Sequence, residues 1–177
     1  MAVSDKTIAF LLTRGVEQVE LTSPRAALDE AGAKTVLISP SEGTLQAMEG
    51  DWDHAEVFAV DVPLAEANAA DYDALVLPGG TINADTLRTD DDAVAFVKAF
   101  FDADKPVAAI CHAPWILAEA GVAKGRKLTS FESTKVDLEN AGADWTDAEV
   151  VVDGNLITSR NPGDLDAFNE AISEKLS

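Results

Sequence analysis

The chain is poor in cysteine, histidine and basic side chains, and each scarcity excludes something. Its one cysteine, Cys111, rules out an intramolecular disulfide. A lone thiol fits a reducing compartment, and also a sulfur kept for its reactivity. The two histidines, His54 and His112, form no Cys/His cluster of the kind that holds a metal. No glycine-rich phosphate loop and no G-x-S-x-G occurs, so neither a nucleotide site nor a serine nucleophile elbow is read, and no cofactor is expected. No apolar run approaches the roughly 20 residues of a membrane helix. The segment Met1–Lys6 lacks a basic stretch followed by a long apolar one, so no signal peptide is read and a cytoplasmic location is expected.

Basic residues number 13 against 32 acids, a formal net charge of -19. Such a surface repels nucleic acid and anionic membranes, so neither is expected as a partner. The acids are spread through Asp51–Asp53, Asp90–Asp92 and Asp144–Asp147 rather than gathered in a tail. That pattern reads as solvation in a salt-rich cytoplasm, where ions screen self-repulsion, and a halophilic source is expected.

What is present is the material of one α/β domain spanning residues 1–177. Thr7–Leu12, Thr35–Ile38, Ala74–Leu77 and Pro106–Ile110 are short apolar runs, as in parallel strands covered on both faces. Helices are expected at about Glu20–Ala31, Pro63–Ala69, Asp91–Ala103, His112–Ala120, Thr134–Ala141 and Asp164–Leu176. Two further strand candidates lie near Leu45–Met48 and Val57–Val60, and another at Lys127–Ser130. Glu149–Val152 and Leu156–Ser159 pair as a hairpin around Asp153-Gly154-Asn155. Alternating strands and helices imply a doubly wound, mostly parallel sheet flanked by helices, the flavodoxin-like plan. Its site lies beyond the carboxyl ends of the strands. Three loops deserve reading there: Arg14–Glu17, Pro78–Thr81 and Cys111–His112.

Cys111 stands where a buried strand turns into a helix, the position of a nucleophile elbow. A helix N-terminus aimed at the sulfur lowers a thiol pKa. A buried cysteine acting as a small hydrophobe is the plainer reading, but the strand-end placement and the adjacent His112 favour reactivity. His112 offers a backbone N–H to an oxyanion and a ring able to move protons near neutrality; as a bland residue it caps or solvates a helix. Gly80, after Pro78-Gly79, can supply a second oxyanion donor, although glycine pairs commonly only make turns. Glu17 overhangs the same edge, and a desolvated carboxyl there stays protonated as a donor to the sulfur. Without that context Glu17 or Glu20 is a surface acid near a helix N-terminus. His54 reads as a surface residue, and Trp115 and Trp145 as packing.

Five segments resemble one family in order and spacing over nearly the whole chain: Gly15–Leu21, Asp73–Gly80, Lys105–Pro114, Gly125–Ser130 and Thr158–Leu165. They resemble the ThiJ/PfpI family, of the class I glutamine amidotransferase-like superfamily, and most of all its PfpI-type branch. That branch is known as intracellular cysteine peptidases and is linked to glyoxalase and deglycase activity. The resemblance implies Cys111 as nucleophile, His112 as its partner, Glu17 as the protonated carboxyl beside the sulfur, and Gly80 and His112 as oxyanion donors. It also implies an acid from a neighbouring subunit that orients the histidine, at about Asp85, and hence a homo-oligomer, a dimer or a ring built from dimers. Ala113, Gln18 and Asn161 depart from the residues usual at their positions. Amidotransferases use a histidine far downstream, and none follows His112 here. Three functions share these residues: attack on a reactive carbonyl such as methylglyoxal or an early glycation adduct, peptide hydrolysis, and a redox-sensing or chaperone-like role through Cys111 oxidation.

Overall fold

A computed structural model describes residues 3–177; Met1 and Ala2, part of the N-terminal segment read above, lie outside the described residues. The strands are β1 (Thr7–Leu11), β2 (Lys34–Ser39), β3 (Thr44–Glu49), β4 (Asp53–Ala59), β5 (Val62–Pro63), β6 (Ala74–Leu77), β7 (Val107–Ile110), β8 (Lys127–Leu128), β9 (Asp144–Trp145), β10 (Val150–Asp153) and β11 (Leu156–Ser159). The helices are α1 (Gln18–Glu30), α2 (Thr81–Arg88), α3 (Asp91–Asp102), α4 (Trp115–Glu119), α5 (Lys135–Asn140) and α6 (Leu165–Leu176).

Seven strands form the main sheet, in the order β10-β11-β7-β6-β1-β2-β5. All its pairings are parallel except β10 with β11. The four core strands expected from apolar runs are β1, β2, β6 and β7, which lie next to one another in the sheet, and each is buried over most or all of its length. Alternation of side chains sends Ile8 and Phe10 into one core with Leu21, Leu28 and Phe168, and Ala9 and Leu11 into the other with Phe96, Phe100 and Leu117. The sheet is thus covered on both faces, as continuous apolar strands require. The fold is the α/β, mostly parallel, helix-flanked plan expected.

Several local expectations are corrected. Pro63–Ala69 is not a helix: Leu64–Glu66 and Ala69–Asp71 are single 3-10 turns, too short to bury a face. The segment after Cys111 stays in turns until Trp115, and α4 has only five residues. The helix that follows Cys111 therefore does not begin at the sulfur. Helix α2 is not expected from the sequence, because its eight residues follow directly on the glycine pair that reads as loop. Residues 127–130 contribute only β8, which pairs with β9 in a separate ribbon. The candidates near 45–48 and 57–60 are the two arms of an antiparallel hairpin, β3–β4, outside the main sheet.

No helix among the described residues is long and apolar enough to cross a membrane. Seven ion pairs occur among the described residues, most of them at the surface, against a charge of -19. Isolated surface pairs contribute little, and the uncompensated acids repel one another. Moving from dilute buffer to molar KCl is expected to raise the thermal midpoint by about 4 °C or more, which corresponds to about 1 kcal/mol. Melts across a KCl series check this; a flat midpoint would remove self-repulsion as a destabilising force.

Candidate active site

The ends of β1, β6 and β7 lie side by side, at the point where the chain winds to either side of β1. Cys111 follows β7 with φ 63°, in the left-handed region that non-glycine residues rarely occupy. Its N–H still donates to Ser159 O (3.1 Å) and its carbonyl accepts from Phe131 N (2.7 Å), so the strained residue is pinned on both sides. That is the geometry of a nucleophile elbow: the chain turns sharply enough to push the sulfur out of the sheet. The side chain is nevertheless only 7 % exposed.

Four groups converge on the sulfur. The backbone N–H groups of Gly80 and His112 point at it. The Nδ1 atom of His112 lies 3.2 Å away. The Glu20 carboxyl, completely buried, packs against it from α1. Gly80 holds its place through φ 92°, and a Cβ there would meet Gly15 O and Glu17 N. Only glycine fits so close a backbone crossing.

The structure corrects the placement of the carboxyl. Glu17 precedes α1 and turns away to the hairpin, where both its oxygens accept from Gly50 N (3.1 and 2.9 Å). Glu20, one helical turn later, shares the inward face with Leu21, Pro24 and Leu28. Its Oε2 accepts from Gly79 N at 2.8 Å. Its Oε1 is buried without a nitrogen or oxygen partner, and the thiol is the polar group beside it. Burial pushes the Glu20 pKa up to about 8, so this acid carries its proton at neutral pH. The sequence signal was there: a charged residue on the apolar stripe of an otherwise amphipathic helix.

The expected depressed thiol pKa is corrected as well. Burial pushes the Cys111 thiol up, with the neighbouring Glu20 adding to it once ionised, and the two amide hydrogen bonds offset this only in part. At rest the sulfur is a thiol that needs a base. Burial also lowers the His112 pKa, against the opposing pull of Asp51, which keeps the ring neutral near pH 7.

His112 stacks on Phe131, with centroids 4.5 Å apart and planes at 22°. Its Nε2 lies 3.0 Å from Ser133 Oγ and 3.4 Å from Thr81 Oγ1. Thr81 is in turn bound to Asp51. Asp85 sits on the exposed face of α2, and its side chain makes no hydrogen bond or ion pair among the described residues. Of the residues singled out in the sequence, Cys111, His112 and Gly80 meet in one site; Glu17 and Asp85 do not join them within the chain. Glu20, Thr81, Ser133 and Asp51 complete it. His54 is exposed, as expected. Trp115 stacks under Arg88 and Trp145 donates to Ser130 Oγ, both packing roles. No group of three or more metal-ligating side chains occurs among the described residues.

Known proteins resemble this chain in sequence and fold. Two Bacillus subtilis proteins are similar over 93 % of this chain and 94 % of their own length: "Putative cysteine protease YraA" at 44 % identity and general stress protein 18 at 46 %. The crystal structure of Drosophila melanogaster DJ-1beta superposes with a TM-score of 0.87 at 33 % identity, over 97 % of this chain and 90 % of that one. A two-domain Anabaena variabilis protein with DJ-1/ThiJ/PfpI-like and ferritin-like domains gives 0.90 at 37 % identity; 97 % of this chain matches 48 % of that one. The model of the DJ-1/PfpI family matches residues 6–175, and the chain belongs to that family.

Proposed function

We propose that the protein is a cofactor-independent, cysteine-dependent enzyme that removes reactive carbonyls, such as methylglyoxal or early glycation adducts, in the cytoplasm of a stressed cell. The observation that carries this reading is the buried sulfur of Cys111 held among a basic ring nitrogen, a protonated carboxyl and two amide donors. The thiol proton passes to His112 Nδ1, and the thiolate adds to the aldehyde carbon. The displaced electron pair settles on oxygen, where the Gly80 and His112 amides stabilise it. A proton then moves from the former aldehyde carbon to its neighbour through the protonated carboxyl of Glu20, one oxygen accepting as the other donates; the imidazolium of His112 returns its proton to the neighbouring oxygen, and a thioester is left. Water releases lactate and restores the thiol, so the net reaction adds one water with no external oxidant.

A cysteine only 7 % exposed admits a small carbonyl more readily than an extended chain. Peptide hydrolysis also needs an acid for the leaving amine, and the ring of His112 already faces the sulfur. The relative named for cysteine proteolysis supports that second reading. The stress-protein relative fits the enzyme and equally a thiol-oxidation role. The homo-oligomer belongs to the same proposal: Trp52, 88 % exposed on the hairpin, and Ile82 beside Asp85 on α2 are apolar groups suited to burial by a second copy.

Lactate formation from methylglyoxal and release from a fluorogenic peptide panel test the reading. The expected result is lactate formation abolished by Cys111→Ala with little peptide cleavage. Robust peptide cleavage lost in Cys111→Ala, with no lactate above background, would reverse the ranking; peroxide oxidation of Cys111 without either turnover would favour the sensor.

A further inference from the structure

The reach of Asp51 to His112 through Thr81 is an unused part of the site. Asp51 lies in the turn between β3 and β4 with φ 65°, a conformation that Asp and Asn tolerate better than most residues. Its Oδ1 accepts from Thr81 N (2.8 Å) and its Oδ2 accepts from Thr81 Oγ1 (2.7 Å). On α2 alone this looks like a helix cap, since Thr81 is the first residue of that helix. The hydroxyl makes it more than a cap. A carboxylate is only an acceptor, so the single Thr81 O–H must point to Asp51. The Thr81 oxygen then turns lone pairs toward His112 Nε2, 3.4 Å away. An unprotonated Nε2 would set lone pairs against lone pairs. A protonated Nε2 donates to Thr81 and to Ser133 Oγ, 3.0 Å away.

We infer that Asp51 is a positioning residue which, through Thr81, fixes His112 as the Nε2–H tautomer and so leaves Nδ1 bare to take the Cys111 proton. The inference deepens the cysteine-nucleophile reading above and rests on it. The step balances simply: the S–H bond breaks, an Nδ1–H bond forms, and a thiolate–imidazolium pair results. The imidazolium needs an acceptor at Nε2, which the Thr81 oxygen supplies, and a negative charge behind it, which Asp51 supplies. From the other elements packed around the ring, Phe131 offers a face and Ser133 a hydroxyl, while Glu20, beyond the sulfur, is neutral at pH 7. Asp51 is thus the acid that faces the histidine from within the same chain, where an acid from another subunit had been expected at Asp85.

Asp51→Asn separates this role from capping. The Thr81 backbone N–H must keep an oxygen partner, so the amide nitrogen of the new side chain is forced onto Thr81 Oγ1. The hydroxyl then turns to donate to Nε2 and the tautomer inverts, while the cap survives. Ring 15N spectra of the intact protein read this directly, with exposed His54 as an averaged reference. The expected spectrum has Nε2 protonated and Nδ1 bare in the parent, inverted in Asp51→Asn. Iodoacetamide alkylation of Cys111 near pH 7 should slow by about tenfold or more in Asp51→Asn and Thr81→Val, and Thr81→Ser should recover it to within about twofold. A parent ring protonated at Nδ1 would overturn the inference, as would unchanged spectra and alkylation in both Asp51→Asn and Thr81→Val. If these signatures hold but no Cys111-dependent turnover of carbonyl or peptide is found, the proposed enzyme function falls and the positioning role stands.

Discussion

Glu20→Gln will remove a pH dependence from folding and most of the turnover from the site. The Glu20 carboxyl titrates at about 8 in the folded chain against an ordinary value of 4.5. Because the folded value is the higher one, the native state binds the extra proton between those two pH values. Its contribution to stability is complete below about pH 4.5, declines as pH rises, and is lost above about 8. The limiting slope is about 1.4 kcal/mol per pH unit. Glutamine is neutral throughout and keeps the acceptor for Gly79 N, so the variant should lack this slope. Denaturant melts of both proteins from pH 4.5 to 8.5 should show the parent losing stability relative to the variant across that window. Parallel profiles would place the Glu20 pKa in the ordinary range. Activity should fall by at least about 10²-fold, because an amide can donate to the thiolate but cannot exchange the proton that the carbonyl reaction requires.

The second large effect is expected at Gly79. It has no left-handed backbone requirement, so alanine costs nothing in φ there. Space is the obstacle: an added Cβ would run into Glu20 Oε2 and come within 2.7 Å of Cys111 Cβ and 2.8 Å of Ile110 O. None of these can yield cheaply. Ile110 O belongs to the sheet, Cys111 is pinned by Ser159 and Phe131, and Glu20 is buried. Gly79→Ala should destabilise the fold by about 1–3 kcal/mol, lowering the midpoint by about 2–4 °C for each kcal/mol. It should also separate the carboxyl from the sulfur and so slow carbonyl turnover more than the loss of stability alone explains. Thermal melts with turnover measured well below the midpoint distinguish the two. A midpoint and rate both equal to the parent's would mean the three walls are softer than their burial implies.

The fold was legible because its signal is short-range. Four apolar runs of strand length, each ended by glycine, proline or a polar turn, mark the middle of a parallel sheet whatever else the chain does. Boundaries failed where tertiary contacts override local preference. The run after Cys111 contains good helix formers, yet the elbow and its ties hold residues 111–114 in turns. Helix α2 starts just after Gly80, whose backbone crosses Gly15, a contact between segments 65 residues apart in sequence. The site divides in the same way. Cys111, His112 and Gly80 stand at strand ends and could be found from strand ends alone. Choosing Glu20 over Glu17 requires the helical phase of α1, and a shift of one turn decides which acid faces inward. Thr81, Ser133 and Asp51 carried no pattern at all. Each is a common polar residue in a turn or at a helix start, and only the packing of the hairpin turn against α2, with Ser133 across the ring, makes them neighbours.

That packing divides the site between two kinds of architecture. The sulfur and its carboxyl are held by the seven-stranded sheet and α1. The aspartate behind the histidine hangs on a two-stranded ribbon, held to the β1–α1 segment by Gly15 N to Gln46 O, Met48 N to Val16 O and the Glu17 carboxylate on Gly50 N. A hairpin of this kind has little stability of its own. It opens at a lower free energy than the sheet does. Opening would leave a folded protein with its cysteine still in place and its histidine without the charge behind it. The glutamate first read as the acid at the sulfur would then govern how long the base stays engaged, as the latch of the ribbon rather than a partner in the chemistry.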